Sequence, residues 1–162
     1  MKTPRVLKRR RSGQTNYHKR LKMVSSETPR FVVRPTHRGI SAQVISFSPE
    51  GDRVISTVTD RSLKKLGLET LGNNTPISYL VGYATGLKAK KQNVGSAILD
   101  TGRYNITTGG RISAALKGFV DAGIEIPYDE KIFPDESRIK GEHLKKSVIN
   151  IEEAKSKLEE SL

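Results

Sequence analysis

The residues best suited to chemistry in this sequence are cations with two planar rings among them, within residues 1–22. This segment has nine lysine and arginine side chains and no acidic one. Phosphate oxygens attract such charges, and aromatic rings stack on unpaired bases. Because Tyr17 and His18 stand among these cations, the pattern predicts an arm that binds a nucleic-acid backbone and stacks on its bases. The alternative is a solvated tail that aids solubility or import.

A second candidate site opens a predicted helix at residues 107–111. It combines Thr107, Thr108, two glycines and Arg111. Free N–H groups at a helix start attract anions, and glycine lets a phosphate approach closely. The segment predicts a phosphate contact with an exposed Arg111, and simple capping of the helix by a threonine is the alternative. It is not a Walker loop, because no Gly-Lys-Ser/Thr follows.

A third candidate site flanks the turn between the first two predicted strands. Arg34, Thr36, His37 and Arg38 place cations and hydrogen-bonding groups on one tight turn. Such a turn can grip a phosphate backbone, and a solvated loop is the alternative.

The candidate nuclease groups are three aspartates, Asp60, Asp100 and Asp121. Metal-dependent phosphoryl transfer needs clustered carboxylates, and no second acid is spaced to join Asp100. The sequence therefore disfavours a hydrolase. The three histidines lack metal-ligand spacing and cysteine is absent, so we expect no metal, no cofactor and no disulfide.

The overall composition favours a polyanionic partner. The 162 residues have a net charge of +12 and an isoelectric point near 10.0. Nucleic acid is the first candidate partner and an anionic membrane surface the second. No apolar run approaches the ~18 residues that span a bilayer, and we expect neither a membrane segment nor a signal peptide.

Elements of an α/β domain follow the arm. Residues 30–34, 40–47 and 53–59 are rich in β-branched residues, with turn residues at 48–52, and predict an antiparallel meander. A short buried strand is expected at 97–100. The order β-β-β-α-β-α predicts a mixed sheet with helices packed on it.

Two helices are predicted from apolar periodicity. The first begins at Thr75 as the cap, with Pro76 at the first helical position, and its apolar face comprises Ile77, Leu80, Val81, Ala84 and Leu87. The second has the face Ile112, Leu116, Phe119 and Gly123. A short charged helix is expected at 152–162. We divide the chain into a basic arm (1–24), a globular domain (25–128) and a C-terminal extension (129–162).

Ordered motifs in this chain resemble those of a known family. In the arm and first strand they are Arg9, Arg10, Arg11, Gly13, Thr15, Tyr17, Arg20, Thr28, Pro29, Arg30, Val33, Arg34, Thr36 and Arg38. In the helical half they are Tyr83, Thr85, Gly86, Leu87, Asp100, Gly102, Thr107, Thr108, Gly109, Leu116, Lys117, Gly118, Asp121, Ala122, Gly123, Ile126 and Pro127. Their order and spacing resemble the large-subunit ribosomal protein that binds 5S rRNA, the L-eighteen family of bacteria and archaea and the L-five family of eukaryotes.

The resemblance implies a ribonuclease-H-like ribosomal fold and a non-enzymatic structural role. It implies binding to 5S rRNA, attachment of that RNA to the large rRNA, and a cytoplasmic location in the central protuberance of the ribosome. Neighbouring ribosomal proteins, including the other 5S-binding protein, are the implied partners. The residues Phe133, Pro134, Gly141 and His143 are similar to the archaeal and eukaryotic C-terminal extension, and the short chain favours an archaeal type.

The expected RNA-binding residues lie in the arm and the positive loops. They are Lys8, Arg9, Arg10, Arg11, Thr15, Tyr17, His18, Arg20, Arg34, Thr36, His37, Arg38, Arg103, Thr107, Thr108 and Arg111. A ribonuclease-H-like nuclease and a free RNA chaperone are the alternative functions.

Overall fold

The computed structural model describes residues 6, 8–66, 68, 73–144 and 150–162, so residues 1–5 and 7 of the predicted arm lie outside it. The strands are β1 (Arg30–Pro35), β2 (Ile40–Ser46), β3 (Arg53–Thr59) and β4 (Ile98–Asp100). The helices are α1 (Lys8–Arg11), α2 (Tyr17–Val24), α3 (Asp60–Lys65), α4 (Thr75–Lys91), α5 (Arg111–Asp121), α6 (Glu136–Lys140) and α7 (Ile151–Ser161), with a 3-10 turn at Glu130–Ile132.

The four strands form one mixed sheet in the order β3-β2-β1-β4. Strands β1, β2 and β3 are antiparallel neighbours, and β4 lies parallel to β1, with Arg30 opposite Ile98. A parallel pair needs a long connection, and here it runs from β1 through β2, β3, α3 and α4 to β4. The predicted α/β class, the mixed sheet and the antiparallel meander are confirmed.

One face of the sheet is covered and the other carries polar groups. Phe31 and Val33 of β1 and Val44 of β2 are fully buried beneath the helices. The ring of Phe31 stacks on Phe119 of α5, with centroids 3.9 Å apart. Because side chains alternate along a strand, Arg30 and its alternate neighbours project to the opposite face. That open face is where the arm lies.

Helix α4 begins with a different cap from the predicted one. The Asn74 side chain accepts a hydrogen bond from the N–H of Ile77 at 3.1 Å, and Thr75 is already inside the helix. Thirteen of its residues are buried, so α4 has no single apolar face. The reason is that the sheet, α5 and α7 enclose it. Among the described residues, no helix combines the length and hydrophobicity needed to cross a membrane.

Helices α4 and α5 touch backbone to backbone at two glycines. A Cβ at Gly82 would lie 1.9 Å from the carbonyl oxygen of Ala115, and a Cβ at Gly118 would lie 2.1 Å from that of Tyr79. Because any side chain would clash there, the close approach of the two helices requires glycine at both positions. This packing outweighs the cost of glycine in a helix, which is about 1 kcal/mol relative to alanine.

The start and end of α5 also differ from the expectation. Its N-cap is Gly110, which has no side chain to accept a bond, so neither threonine caps the helix. The helix ends at Asp121, and Gly123 lies beyond it with a positive φ of 91°. Gly123 thus closes the helix and is not part of its buried face.

The arm contains two helices that the sequence did not predict. Asn16 caps α2 by accepting a hydrogen bond from the N–H of Lys19. Helix α2 also gains a tertiary contact, because Arg20 forms an ion pair with Asp52. A charge count could not reveal this contact, since its two residues are far apart in sequence.

The C-terminal extension packs on the same core as the globular domain. Ile151, Ala154 and Leu158 of α7 are buried, and α7 contacts α4. The hydroxyl of Tyr83 on α4 donates to the carboxylate of Glu159, and burial together with this carboxylate raises the pKa of Tyr83 to about 12. The predicted short helix is confirmed, and the domain boundaries stay a prediction.

We expect the Gly82→Ala variant to lose at least about 2 kcal/mol of unfolding free energy. An added methyl group meets rigid backbone, and overpacking of this kind costs about 1–3 kcal/mol or more. Gly95→Ala is the control, because a Cβ there meets nothing within 4 Å. Urea unfolding of both variants measures the effect. Equal midpoints for Gly82→Ala and the wild type would contradict the close helix contact.

Candidate nucleic-acid interface

A buried carboxylate lies at the centre of the open face. Asp100, at the end of β4, is 5% exposed. Its Oδ2 accepts a bond from Arg30 Nη1 and its Oδ1 one from Arg34 Nη2, both at 3.1 Å. The N–H of Gly102 donates to the same Oδ1 at 2.7 Å. The carboxylate is thus fully engaged within the fold.

The charge of Asp100 is maintained by these partners. Burial by itself raises the pKa of a carboxyl group, because it disfavours the charged form. The charge and hydrogen bond of Arg34, the N–H of Gly102 and the charge of Arg30 outweigh burial and hold the pKa of Asp100 below its ordinary value. Asp100 is therefore ionised at neutral pH.

The ion-pair network continues from the sheet to the arm. Arg30 Nη2 donates to Asp52 Oδ2 at 2.7 Å, and Arg20 Nη2 of the arm donates to the same oxygen at 2.8 Å. Asp52 lies in the turn between β2 and β3. One chain of charges, Arg20–Asp52–Arg30–Asp100–Arg34, therefore joins α2, a hairpin turn, β1 and β4.

Arg34 has an internal role that the sequence did not predict. Its Nη1 donates to the carbonyl oxygens of Val33 at 2.9 Å and Asp100 at 2.6 Å, in addition to the ion pair. Its side chain is nevertheless 36% exposed. Contact of Arg34 with RNA stays a prediction, and the structure adds that the guanidinium is held in a fixed position.

A cleft of about 470 Å³ lies between the arm and the sheet, and the residues of this network line it. We call it the arm cleft, and its lining is Arg9, Gln14, Thr15, Asn16, Lys19, Arg20, Met23, Arg30, Val32, Arg34, Ile45, Asp52, Asp100, Gly102, Arg103 and Tyr104. Six of these side chains are cations and two are carboxylates, an excess of four positive charges. The cleft brings together five of the predicted site residues, Arg9, Thr15, Arg20, Arg34 and Arg103.

The contact between the arm and the loop after β4 requires a glycine. Gly13 has a φ of 65°, and a Cβ there would lie 2.3 Å from Arg103 Nη1. A larger residue would therefore both strain the backbone and displace Arg103. The arm and Arg103 form one wall of the cleft.

A second group of predicted residues meets at the turn between β1 and β2. The carbonyl oxygen of Thr36 accepts a bond from Arg111 Nη1 at 3.1 Å and one from the Asn73 amide at 2.8 Å. Arg111 also donates to the side-chain oxygen of Asn73. Arg111 is half-buried and joins α5 to the turn, so the expectation of an exposed side chain is wrong.

This second group presents both polar and cationic groups to solvent. His37, Arg38, Thr107 and Thr108 are exposed around the half-buried Arg111. The two loops that the sequence treated as separate sites are therefore neighbours. Their contact with phosphate stays a prediction.

The arm's predicted stacking residues differ in exposure. His18 is exposed, and so are Lys8, Arg10 and Arg11 of the arm. Tyr17 is half-buried in a groove of about 330 Å³ lined by Tyr17, Arg20, Leu21, Val24 and Phe47. Part of the ring is thus covered by protein, and stacking of Tyr17 on a base stays a prediction.

Three residues of the arm cleft were missed by sequence reasoning. Arg30 was assigned to the first strand and to the family motif but not to the RNA-binding residues, yet it contacts both carboxylates. Lys19 was counted only as arm charge. Tyr104, 48% exposed, lies beside Arg103 in the loop after β4. An exposed aromatic residue next to an arginine was the available signal for Tyr104.

The three aspartates considered for catalysis lie apart and are engaged in different contacts. Asp60 is in the first turn of α3, where an acid favours the helix dipole. The hydroxyl of Tyr79 donates to Asp121 at 2.6 Å, and burial and this carboxylate raise the pKa of Tyr79. Within the described ranges no three His, Asp or Glu side chains are grouped to hold a metal ion.

Comparisons with known proteins agree on one family. A family model described as ribosomal large subunit proteins 60S L5 and 50S L18 matches residues 4–95. The large ribosomal subunit protein uL18 of Thermoplasma acidophilum is 52% identical over 143 residues, which is 88% of each chain. The protein of the same name from Picrophilus torridus is 50% identical over 160 residues, covering 99% of this chain and 100% of the relative.

These matches extend over both the arm and the domain, and the relatives are archaeal. The resemblance inferred from the sequence motifs is thereby confirmed, including its archaeal type. The chain belongs to the family of ribosomal large-subunit proteins 60S L5 and 50S L18.

Proposed function

We propose that this protein is a structural constituent of the large ribosomal subunit that binds 5S rRNA and helps attach it to the large rRNA in the central protuberance. The main structural support for this function is the arm cleft, which is lined by six cations and two carboxylates. Such an excess of positive charge on an ordered surface suits a phosphate backbone. Membership of the ribosomal family supports the ribosome as its location and rRNA as its partner.

The predicted residues of the exposed arm and those of the arm cleft would have different roles in binding RNA. In the arm, Lys8, Arg10 and Arg11 are exposed and free to follow a phosphate backbone, while Arg20 and Arg34 hold the walls of the cleft. Backbone contacts of this kind position a protein on RNA, whereas recognition of RNA sequence depends on unpaired bases. Neighbouring large-subunit proteins, including the other 5S-binding protein, would then contact the same RNA.

A nuclease is the alternative from the enzyme class, and the state of Asp100 speaks against it. Its carboxylate is bound by two arginines and a backbone N–H. A metal-dependent nuclease needs its carboxylates free for cations. A magnesium-dependent cleavage assay on labelled RNA tests this alternative directly.

A free RNA chaperone is the other alternative. Sedimentation in high salt separates the two functions, because a ribosomal constituent stays with the large subunit and a chaperone does not.

An electrophoretic shift comparing 5S rRNA with a control RNA of the same length tests the function itself. We expect tighter binding to 5S rRNA at matched salt concentration, because backbone charge alone does not discriminate between RNAs. Equal affinity for the two RNAs would reject specific 5S binding and leave a general RNA-binding protein.

The exposed charges of α1 should contribute strongly to the salt dependence of binding. Replacing Lys8, Arg9, Arg10 and Arg11 by glutamine should flatten the plot of log affinity against log salt by about 3, if each cation meets one phosphate at ~0.7–0.9 per contact. The charge-matched control replaces four exposed lysines elsewhere, Lys64, Lys131, Lys140 and Lys157. Equal changes of slope in the two variants would show that only total charge matters.

The Asp100→Asn variant should lose about 3 kcal/mol of unfolding free energy at pH 7, because it breaks a buried ion pair and leaves Asp52 as the one carboxylate, among the described residues, that Arg30 still contacts. The pKa of Asp100 is lower in the folded protein than in the unfolded chain, so the ionised carboxylate stabilises the fold. This contribution to the unfolding free energy is fully present above the unfolded pKa and is lost as pH falls through the folded pKa. Urea unfolding between pH 2 and 7, in steps of about one pH unit, should show a weaker acid dependence for Asp100→Asn. Asp135→Asn is the exposed control, and identical pH profiles for wild type and Asp100→Asn would refute this role.

A further inference from the structure

We propose that the arm cleft receives a single unpaired nucleotide of the bound RNA, with its phosphate on the arginines and its base on the ring of Tyr104. This inference rests on the proposed RNA-binding function and names a site within it. The cleft is bounded by the arm on one side and by the sheet and the loop after β4 on the other.

The size of the cleft suits one nucleotide. Its volume of about 470 Å³ lies within the range of ~300–1,000 Å³ that is typical of sites for small molecules. A duplex cannot enter a space of this size, whereas a nucleotide turned out of its stack can. RNA-binding proteins commonly recognise such unstacked nucleotides in loops and bulges.

The charges of the cleft are not neutralised internally. The two carboxylates, Asp52 and Asp100, are shared by three arginines. In the part of the chain that the structure describes, Arg9, Lys19 and Arg103 form no ion pair. These three cations are therefore available to a phosphate, and hydrogen bonds between arginine and phosphate are charge-assisted and strong.

One arginine atom of the cleft wall is left unsatisfied. The Nε of Arg30 is buried and has no hydrogen-bond partner among the described residues, although both terminal nitrogens of this side chain are engaged. Buried polar groups in folded proteins almost always have a partner. Arg30 lines the cleft, but its Nε is closed off from solvent, so the phosphate would meet the exposed cations Arg9, Lys19 and Arg103.

Tyr104 supplies the surface for the base. Tyr104 lines the cleft, follows Arg103 in the chain and is 48% exposed as a residue. Bases of any sequence can stack on an aromatic ring, because every base has a π-face. The position of Tyr104 next to cations places a stacking surface and a phosphate site within one cavity.

A short single-stranded RNA with 2-aminopurine at its centre is the probe. Stacking on Tyr104 should quench its fluorescence when it binds the full chain. The Tyr104→Ala variant should lose the quenching and bind the probe about 5- to 150-fold more weakly, the range for one stacked base. Tyr104→Phe should restore both, since stacking needs the ring and not the hydroxyl.

Tyr128→Ala is the matched control, because Tyr128 is 45% exposed and does not line the cleft. It should bind and quench like the wild type. Urea midpoints of all variants verify that each is folded. Equal quenching by wild type and Tyr104→Ala would overturn the proposal.

Two combinations of results distinguish failure of this proposal from failure of the proposed function on which it rests. If 5S rRNA binds tightly and the probe is not quenched by the wild type, the cleft proposal fails and the proposed function stands. If 5S rRNA is bound no better than the control RNA while quenching depends on Tyr104, the cleft proposal stands without 5S specificity. Saturable binding of free AMP that depends on Tyr104, without binding of the RNA probe, would overturn the RNA assignment in favour of a free nucleotide.

Discussion

The placement of one buried carboxylate governs the arrangement of the open face. An ionised Asp100 is tolerated in the interior because Arg30 and Arg34 compensate its charge and the N–H of Gly102 donates to it. The same two arginines are thereby held at fixed positions on the sheet. Through Asp52 the network reaches Arg20, so the position of the arm also depends on β4. The ion pairs that stabilise the fold and three of the cations that line the arm cleft thus belong to one connected network.

The covered face of the sheet has a different physical basis. Helix α4 is enclosed by the strands, α5 and α7, and its contact with α5 depends on the absence of side chains at Gly82 and Gly118. Close packing of both helices on one face concentrates the apolar residues there. The other face holds polar and charged groups, and the arm lies over it. This division explains how a chain of modest length forms a solid core and still presents a broad basic surface.

Much of the fold followed from local patterns, and the site followed only in part. The three β-rich runs and the apolar periodicity of α4 and α5 were sufficient to predict these strands and helices, because strand alternation and helical repeats are local properties. Helix α2 was missed since its stability includes a tertiary ion pair between Arg20 and Asp52. Charge alone selected Arg34 and Arg111 as ligand-binding residues, but pattern could not show that both also bind the protein's own backbone. Arg30 was missed for the same reason, because a strand residue reveals its partners only after the sheet is formed.

The packing of α7 on α4 has a consequence for the order of events during synthesis. Helix α4 lies in the middle of the chain, and its last apolar partners, Ile151 and Leu158, are translated much later. Part of α4 therefore stays uncovered while the nascent chain emerges, at ~5–20 residues per second. The basic arm, which emerges first, is exposed to every nearby polyanion during that interval. Until residues 151–162 arrive, the nascent protein has both an incompletely covered helix α4 and a cationic arm, the combination that favours early capture by an RNA or a chaperone.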